Sequence, residues 1–86
     1  MITRKMVVNI KEDSEGKLPV AMFVQVASRF DSKIYLELED KKINAKSIMG
    51  MMTLGLSTGE SVVVSAEGTD EEAAIENIEK YLSSHN

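Results

Sequence analysis

The stretch Lys42-Ile43-Asn44-Ala45-Lys46-Ser47-Ile48-Met49-Gly50-Met51-Met52-Thr53-Leu54-Gly55 turns from strand to helix within a few residues. Ser47 has the chemistry of an N-cap: its hydroxyl can accept one of the backbone N–H groups left free in a first helical turn. A short helix then runs towards Leu54, and Gly55 suits its end. Inside it, Ile48, Met49, Met51, Met52 and Leu54 crowd apolar groups into one or two turns. At about 100° per residue, Met51, Ile48, Met52 and Met49 cover roughly 160° of the circumference, with Leu54 outside that arc. So wide an arc on so short a helix puts part of it in solvent. Two readings stand at this point. Either all five residues are core, or the methionines, which adapt their shape and recur at promiscuous binding surfaces, form a patch that docks a partner. Ser47 likewise is a plain cap or a regulatory site.

Working outward, Ile34, Leu36 and Leu38 alternate with Lys33, Tyr35 and Glu37, and a polar Glu39-Asp40-Lys41 turn leads into a short strand at residues 42–44. This is a hairpin without a glycine in its turn. Ahead of it, Val20, Phe23, Val24, Ala27 and Phe30 follow three-and-four spacing and predict a helix to about Phe30. Pro19 suits that helix's first position, where no donor is needed. Residues 11–18 carry charge, Ser14 and Gly16 and read as a loop, while Met6, Val8 and Ile10 alternate as in a half-buried strand. Downstream, residues 61–67 with Val62, Val63 and Val64 form the strongest strand by β-branched content. Thr69-Asp70-Glu71-Glu72 opens the last helix, with Thr69 and Glu72 at capping-box spacing. Ala74, Ile75, Ile78, Tyr81 and Leu82 supply its buried stripe. The order βαββαβα predicts one α+β domain over residues 1–86, an open-faced sandwich of a four-stranded antiparallel sheet with helices on one face.

Composition narrows the function. The 86 residues are 43% apolar and 28% charged, a mixture that supports a soluble globule. Zero cysteines exclude a disulfide framework, a thiolate zinc site and a cysteine nucleophile, and agree with a cytoplasmic protein. The longest uninterrupted apolar run, residues 20–24, is far too short for a membrane span, and no signal-peptide pattern follows Met1. A formal charge of −4 repels nucleic acid and anionic lipid. His85 is the sole histidine and sits beside the C-terminus, so neither a zinc site nor a serine triad is expected. Gly55 and Gly59 form no dinucleotide or phosphate loop. No catalytic residue, cofactor or metal is expected.

The Lys42 to Gly55 stretch closely resembles the regulatory-serine region of HPr, the phosphocarrier family of the bacterial sugar phosphotransferase system. The likeness extends through Phe23-Val24-Gln25-Val26-Ala27-Ser28-Arg29-Phe30 and Ser65-Ala66-Glu67-Gly68-Thr69-Asp70-Glu71-Glu72, and so covers nearly the whole chain in order. The resemblance implies the family's βαββαβα open-faced sandwich. It departs in one loop. The family's Gly-x-His-x-Arg-Pro motif presents a phosphorylated histidine, whereas the matching stretch here is Ser14-Glu15-Gly16-Lys17-Leu18-Pro19, with neither histidine nor arginine in either alignment.

This combination resembles the histidine-lacking catabolite-repression branch of the family, the Crh type, although that branch usually keeps the arginine. The resemblance implies a non-enzymatic regulatory protein. In it Ser47 is phosphorylated by an HPr kinase/phosphorylase, and Lys46, Ile48, Met49 and Met52 meet a catabolite-control transcription factor. Phosphate on Ser47 would take the formal charge from −4 to about −6. Lys46, with Lys41 and Lys42 close in sequence, supplies positive charge beside it. Two other readings remain: an HPr-fold interaction module with a different partner, and a phosphocarrier that uses an unconventional residue such as His85 or Ser14. A homodimer made by exchanging the first strand is compatible with the eight-residue loop at residues 11–18 acting as a hinge.

Overall fold

The computed structural model describes residues 1–9, 20–54 and 59–83. Along these the order is β1 (Ile2–Val7), α1 (Val20–Ser28), β2 (Lys33–Leu38), β3 (Lys41–Asn44), α2 (Ile48–Leu54), β4 (Ser61–Glu67) and α3 (Glu71–Ser83), the predicted βαββαβα succession. The expectations placed on Ile10, Pro19, Gly55 and His85, on the loop at residues 11–18 and on the Val20 side chain lie outside the described residues.

The strands form one sheet in the order β1-β4-β2-β3, with every neighbouring pair antiparallel. Register explains which face is buried. Val62, Val64 and Ala66 of β4 lie opposite Met6, Arg4 and Ile2 of β1, while Val64 and Ala66 also lie opposite Leu36 and Ile34 of β2. Leu36 in turn faces Ile43 of β3. Because side chains alternate across a strand, these residues share one side of the sheet. The helices cover that side: Phe23, Val24, Val26 and Ala27 of α1, Met51 and Leu54 of α2, and Ala74, Ile75, Ile78 and Leu82 of α3 close a single core. The other side is polar and open, with the Lys42 ammonium 5.1 Å from the centroid of the Tyr35 ring and the Thr3 and Ser65 hydroxyls 3.4 Å apart.

Five local features differ from the pattern read in the sequence. β1 starts at Ile2, well before Met6, because Arg4 occupies an inward position and hides the alternation. From there its guanidinium pairs with Glu79 of α3 at 2.8 Å. α1 ends at Ser28, two residues short of Phe30, whose ring still packs on the core from the turn that follows. Val26 joins the buried face of α1 because that helix packs against both α2 and α3. At the hairpin, Glu39 takes the left-handed conformation (φ 58°) that a glycine would ordinarily supply.

The start of α3 shows the fifth difference. Glu71, and not Glu72, reaches back three residues: its Oε1 accepts the Gly68 N–H at 3.1 Å, in the turn that precedes the helix. That hydrogen bond, with the nearby chain-start ammonium, holds the Glu71 carboxyl below its ordinary range. Asp70 begins the helix with its carbonyl, which accepts the Ala74 N–H at 2.9 Å, but sends its carboxylate elsewhere. It accepts the N–H groups of Asp31 at 2.8 Å and Ser32 at 3.0 Å, together with the Ser32 hydroxyl. The Ser32 hydroxyl first, and the Asp31 N–H after it, keep the Asp70 carboxyl below its ordinary value. Asp70 thus bolts the α1–β2 turn to the β4–α3 turn. Gly68 permits the close approach, since a Cβ there would stand 2.7 Å from the Ser32 Cα.

Candidate functional site

The polar turn between β3 and α2 places Ser47. At the end of β3, Asn44 accepts twice from the chain ahead: its carbonyl from the Ser47 N–H at 3.0 Å and its Oδ1 from the Lys46 N–H at 2.8 Å. The second bond is an Asx turn, which reverses the chain without glycine or proline. Between them Ala45 is buried and donates its N–H to the Ile34 carbonyl at 2.9 Å, fixing the turn to the sheet. Ser47 therefore arrives at α2 in a set orientation. Its Oγ accepts the Gly50 N–H at 3.1 Å and its carbonyl accepts the Met51 N–H at 2.9 Å, which is the N-cap expected from the sequence. Ser47 is half-buried.

α2 divides its apolar residues between two environments. Met51 and Leu54, three positions apart, point into the core at 0% and 5% exposure. Ile48, Met49 and Met52 are 48%, 80% and 66% exposed and form an apolar surface directly after Ser47. The reading in which all five are core is therefore excluded. Met22 on α1 is also exposed, a feature the spacing of α1 alone left unmarked.

The charges around Ser47 are arranged differently from their order in sequence. Lys46 is half-buried and its Nζ donates to the Phe30 carbonyl at 2.6 Å, tying the end of the α1 turn to the residue before Ser47. Lys42 lies on the open face of the sheet, over Tyr35, on the side away from the helices. The positive charge expected beside Ser47 is thus partly committed within the fold.

Gly50 is a further residue that the sequence reading passed over. Its N–H donates to the capping Ser47 Oγ, and a Cβ at this position would meet Ile43 Cγ2 at 2.7 Å and Ser47 Oγ at 3.2 Å. A glycine inside a helix, where it costs about 0.5–1 kcal/mol relative to alanine, was the available signal.

Among the described residues no group of three or more histidine, aspartate or glutamate side chains is placed to hold a metal, and no helix is long and apolar enough to cross a membrane. The arrangement offers a hydroxyl held by a backbone donor, an adjacent apolar surface and one lysine that could be released from a carbonyl. It is a geometry suited to modification and recognition.

Comparison with known proteins agrees with this layout along nearly the whole chain. Residues 2–84 match the PTS-HPr family model, the PTS HPr component phosphorylation site. The HPr-like protein Crh of Bacillus subtilis (strain 168) is 45% identical over 82 residues, covering 95% of each chain. Among solved structures, HPr-C-His from Thermoanaerobacter tengcongensis is 42% identical with a TM-score of 0.83 over 100% of both chains. A selenomethionyl Crh from Bacillus subtilis, described as an intertwined dimer with a swapped domain, is 48% identical with a TM-score of 0.73 over 79% of this chain and 78% of that one. The shared βαββαβα order, the sheet with helices on one side and this match over residues 2–84 have one explanation: the chain belongs to the HPr family.

Proposed function

We propose that this HPr-family protein is a regulatory member without histidine phosphocarrier activity, switched by phosphorylation of Ser47 and read through Ile48, Met49 and Met52. The observation that carries this reading is the placement of the Ser47 hydroxyl at the start of α2, beside three exposed apolar side chains. The likeness to Crh and the absence of histidine and arginine from Ser14-Glu15-Gly16-Lys17-Leu18-Pro19 support the regulatory branch over the phosphocarrier. An HPr kinase/phosphorylase is the modifying partner, and a catabolite-control transcription factor is the reader.

Phosphorylation acts on recognition more than on the fold. Adding about −1.5 to −2 charges beside an apolar surface favours a partner that offers a basic group next to an apolar groove. Lys46 contributes by moving between the Phe30 carbonyl and the new charge or its reader. The protein works without a cofactor and does not itself catalyse a reaction. A homodimer is part of the reading, supported by the intertwined Crh dimer and by the position of β1 at the sheet edge, paired with β4.

The test is intact-mass analysis after incubation with ATP and an HPr kinase/phosphorylase. The expected result is one phosphoryl group on the protein and none on Ser47→Ala, with tighter binding of the regulator by the phosphoprotein. In a parallel incubation with phosphoenolpyruvate and enzyme I, no uptake is expected. An acid-labile phosphate in that second incubation would refute the regulatory assignment and restore the phosphocarrier reading.

A further inference from the structure

We propose that Gly50 is the positioning residue for modification of Ser47: its missing side chain keeps the Ser47 hydroxyl both capped and open to phosphoryl transfer. The inference rests on the reading of Ser47 as a phosphosite. In the transfer, a bond forms between Ser47 Oγ and the terminal phosphorus of a nucleoside triphosphate. The bridging P–O bond of the donor breaks, a nucleoside diphosphate leaves, and the hydroxyl proton passes to a base on the kinase. Oγ must therefore present a free lone pair along one line of approach, and its position must be defined to well under an ångström.

Two observations show how narrow the arrangement is. The Gly50 N–H holds Oγ at 3.1 Å, so the hydroxyl cannot turn away from residue 50 without giving up the cap. A Cβ on residue 50 would lie 3.2 Å from that same oxygen and 3.4 Å from the Ser47 Cβ, closer than ordinary van der Waals contact for the first and at its limit for the second. On its other side the same Cβ would press on Ile43 Cγ2 at 2.7 Å, and Ile43 belongs to β3 and packs against the core. With the sheet behind it, an added side chain is pushed towards Ser47. Either the hydroxyl shifts off its cap or the approach to it is crowded. Glycine in the first turn of α2 works against helix propensity, and access to Ser47 adds a reason for it beside the close approach of Ile43.

Two contacts of the hypothetical Cβ are separable, which makes the idea testable. Gly50→Ala introduces both. Adding Ile43→Leu removes the branch at the Ile43 Cβ and with it the 2.7 Å contact, while the contact with Ser47 remains. The full-length protein, Ile43→Leu, Gly50→Ala and the double variant are compared by thermal midpoint and by kinase kinetics with ATP, read well below each midpoint. The double variant is expected to recover the midpoint of Ile43→Leu. Its kcat for phosphoryl transfer should stay depressed by about tenfold or more, with KM for the protein unchanged because Ile48, Met49 and Met52 are untouched. A double variant that accepts phosphate as fast as Ile43→Leu overturns the role of Gly50 while leaving Ser47 as the phosphosite. If the unaltered protein accepts no phosphate, the proposed function falls and takes this inference with it. A rise in KM with kcat intact also overturns it, since that pattern would make residue 50 a contact for the kinase and not a positioner of the hydroxyl.

Discussion

Truncating the methionines of α2 one at a time separates a surface from a core within a single turn of helix. Met51 is fully buried, and replacing such a side chain with alanine removes its transfer free energy and leaves a cavity, at a cost of about 2–5 kcal/mol. Met49 is 80% exposed and Met52 66% exposed. Only about a fifth and a third of their surfaces are withdrawn from water. Full burial of a methionine is worth about 1.5–3 kcal/mol, so the corresponding losses are about 0.3–0.6 kcal/mol for Met49→Ala and about 0.5–1 kcal/mol for Met52→Ala. The slightly better helix propensity of alanine offsets part of even these. In a domain of 60–100 residues each kcal/mol moves the thermal midpoint by about 4–8 °C. Met51→Ala should therefore lower the midpoint by at least about 8 °C, and Met49→Ala by less than about 5 °C. Thermal unfolding followed by circular dichroism reads both, and regulator binding by calorimetry reads the other half of the expectation: Met49→Ala and Met52→Ala weaken binding. Equal losses of stability at all three positions would refute the division of α2 into two faces and remove the docking surface.

Two further outcomes follow from the bolt between the turns. Asp70 has a lowered pKa in the folded state, so its contribution is complete above its unfolded value, near 3.8, and is lost as pH falls through the folded value. The midpoint of Asp70→Asn should lie below that of the unaltered protein at neutral pH and the two curves should converge in acid; parallel curves down to the lowest pH would show that the carboxylate carries no coupled stability. Gly68→Ala should lower the midpoint through overpacking of about 1–3 kcal/mol, because the added Cβ meets the Ser32 backbone and not a flexible side chain; an unchanged midpoint would mean that the two turns separate freely.

The fold was legible wherever one residue pattern had one structural meaning. β4 spans Ser61–Glu67 as the run of valines predicts, and α3 buries Ala74, Ile75, Ile78 and Leu82, with Tyr81 packed alongside against Phe23. Burial of that tyrosine also pushes its hydroxyl pKa up. The pattern failed where a long side chain served two environments. Arg4 points to the helix side of the sheet yet ends in an ion pair at the rim, so a charged letter stands at an inward position and conceals the first half of β1. It failed again where a local capping rule competed with a distant partner. Asp70 sits at a helix start but spends its carboxylate on Asp31 and Ser32, almost forty residues away in sequence, while Glu71 turns back to the Gly68 N–H. No local reading contains that contact.

The candidate site was legible in its residues and not in its division of labour. Ser47 reads as a cap from sequence alone because the helix behind it needs one, and the N–H of Gly50 meets that need. Five apolar residues in α2 cannot be sorted by spacing, since a seven-residue helix makes barely two turns and any of several arcs would be self-consistent. Tertiary structure sorts them. Ile43 of β3 lies against Gly50, which brings the helix backbone close to the sheet and fixes its rotation. Once that contact is made, Met51 and Leu54 must enter the core and Ile48, Met49 and Met52 must face water. The same glycine that fixes the rotation also donates its N–H to the Ser47 hydroxyl, so the exposed surface and the hydroxyl beside it share one anchor. In the proposed switch, a partner that reads both meets groups set by the same contact, and a charge added at Ser47 is expected to alter recognition without rearranging the core beneath it.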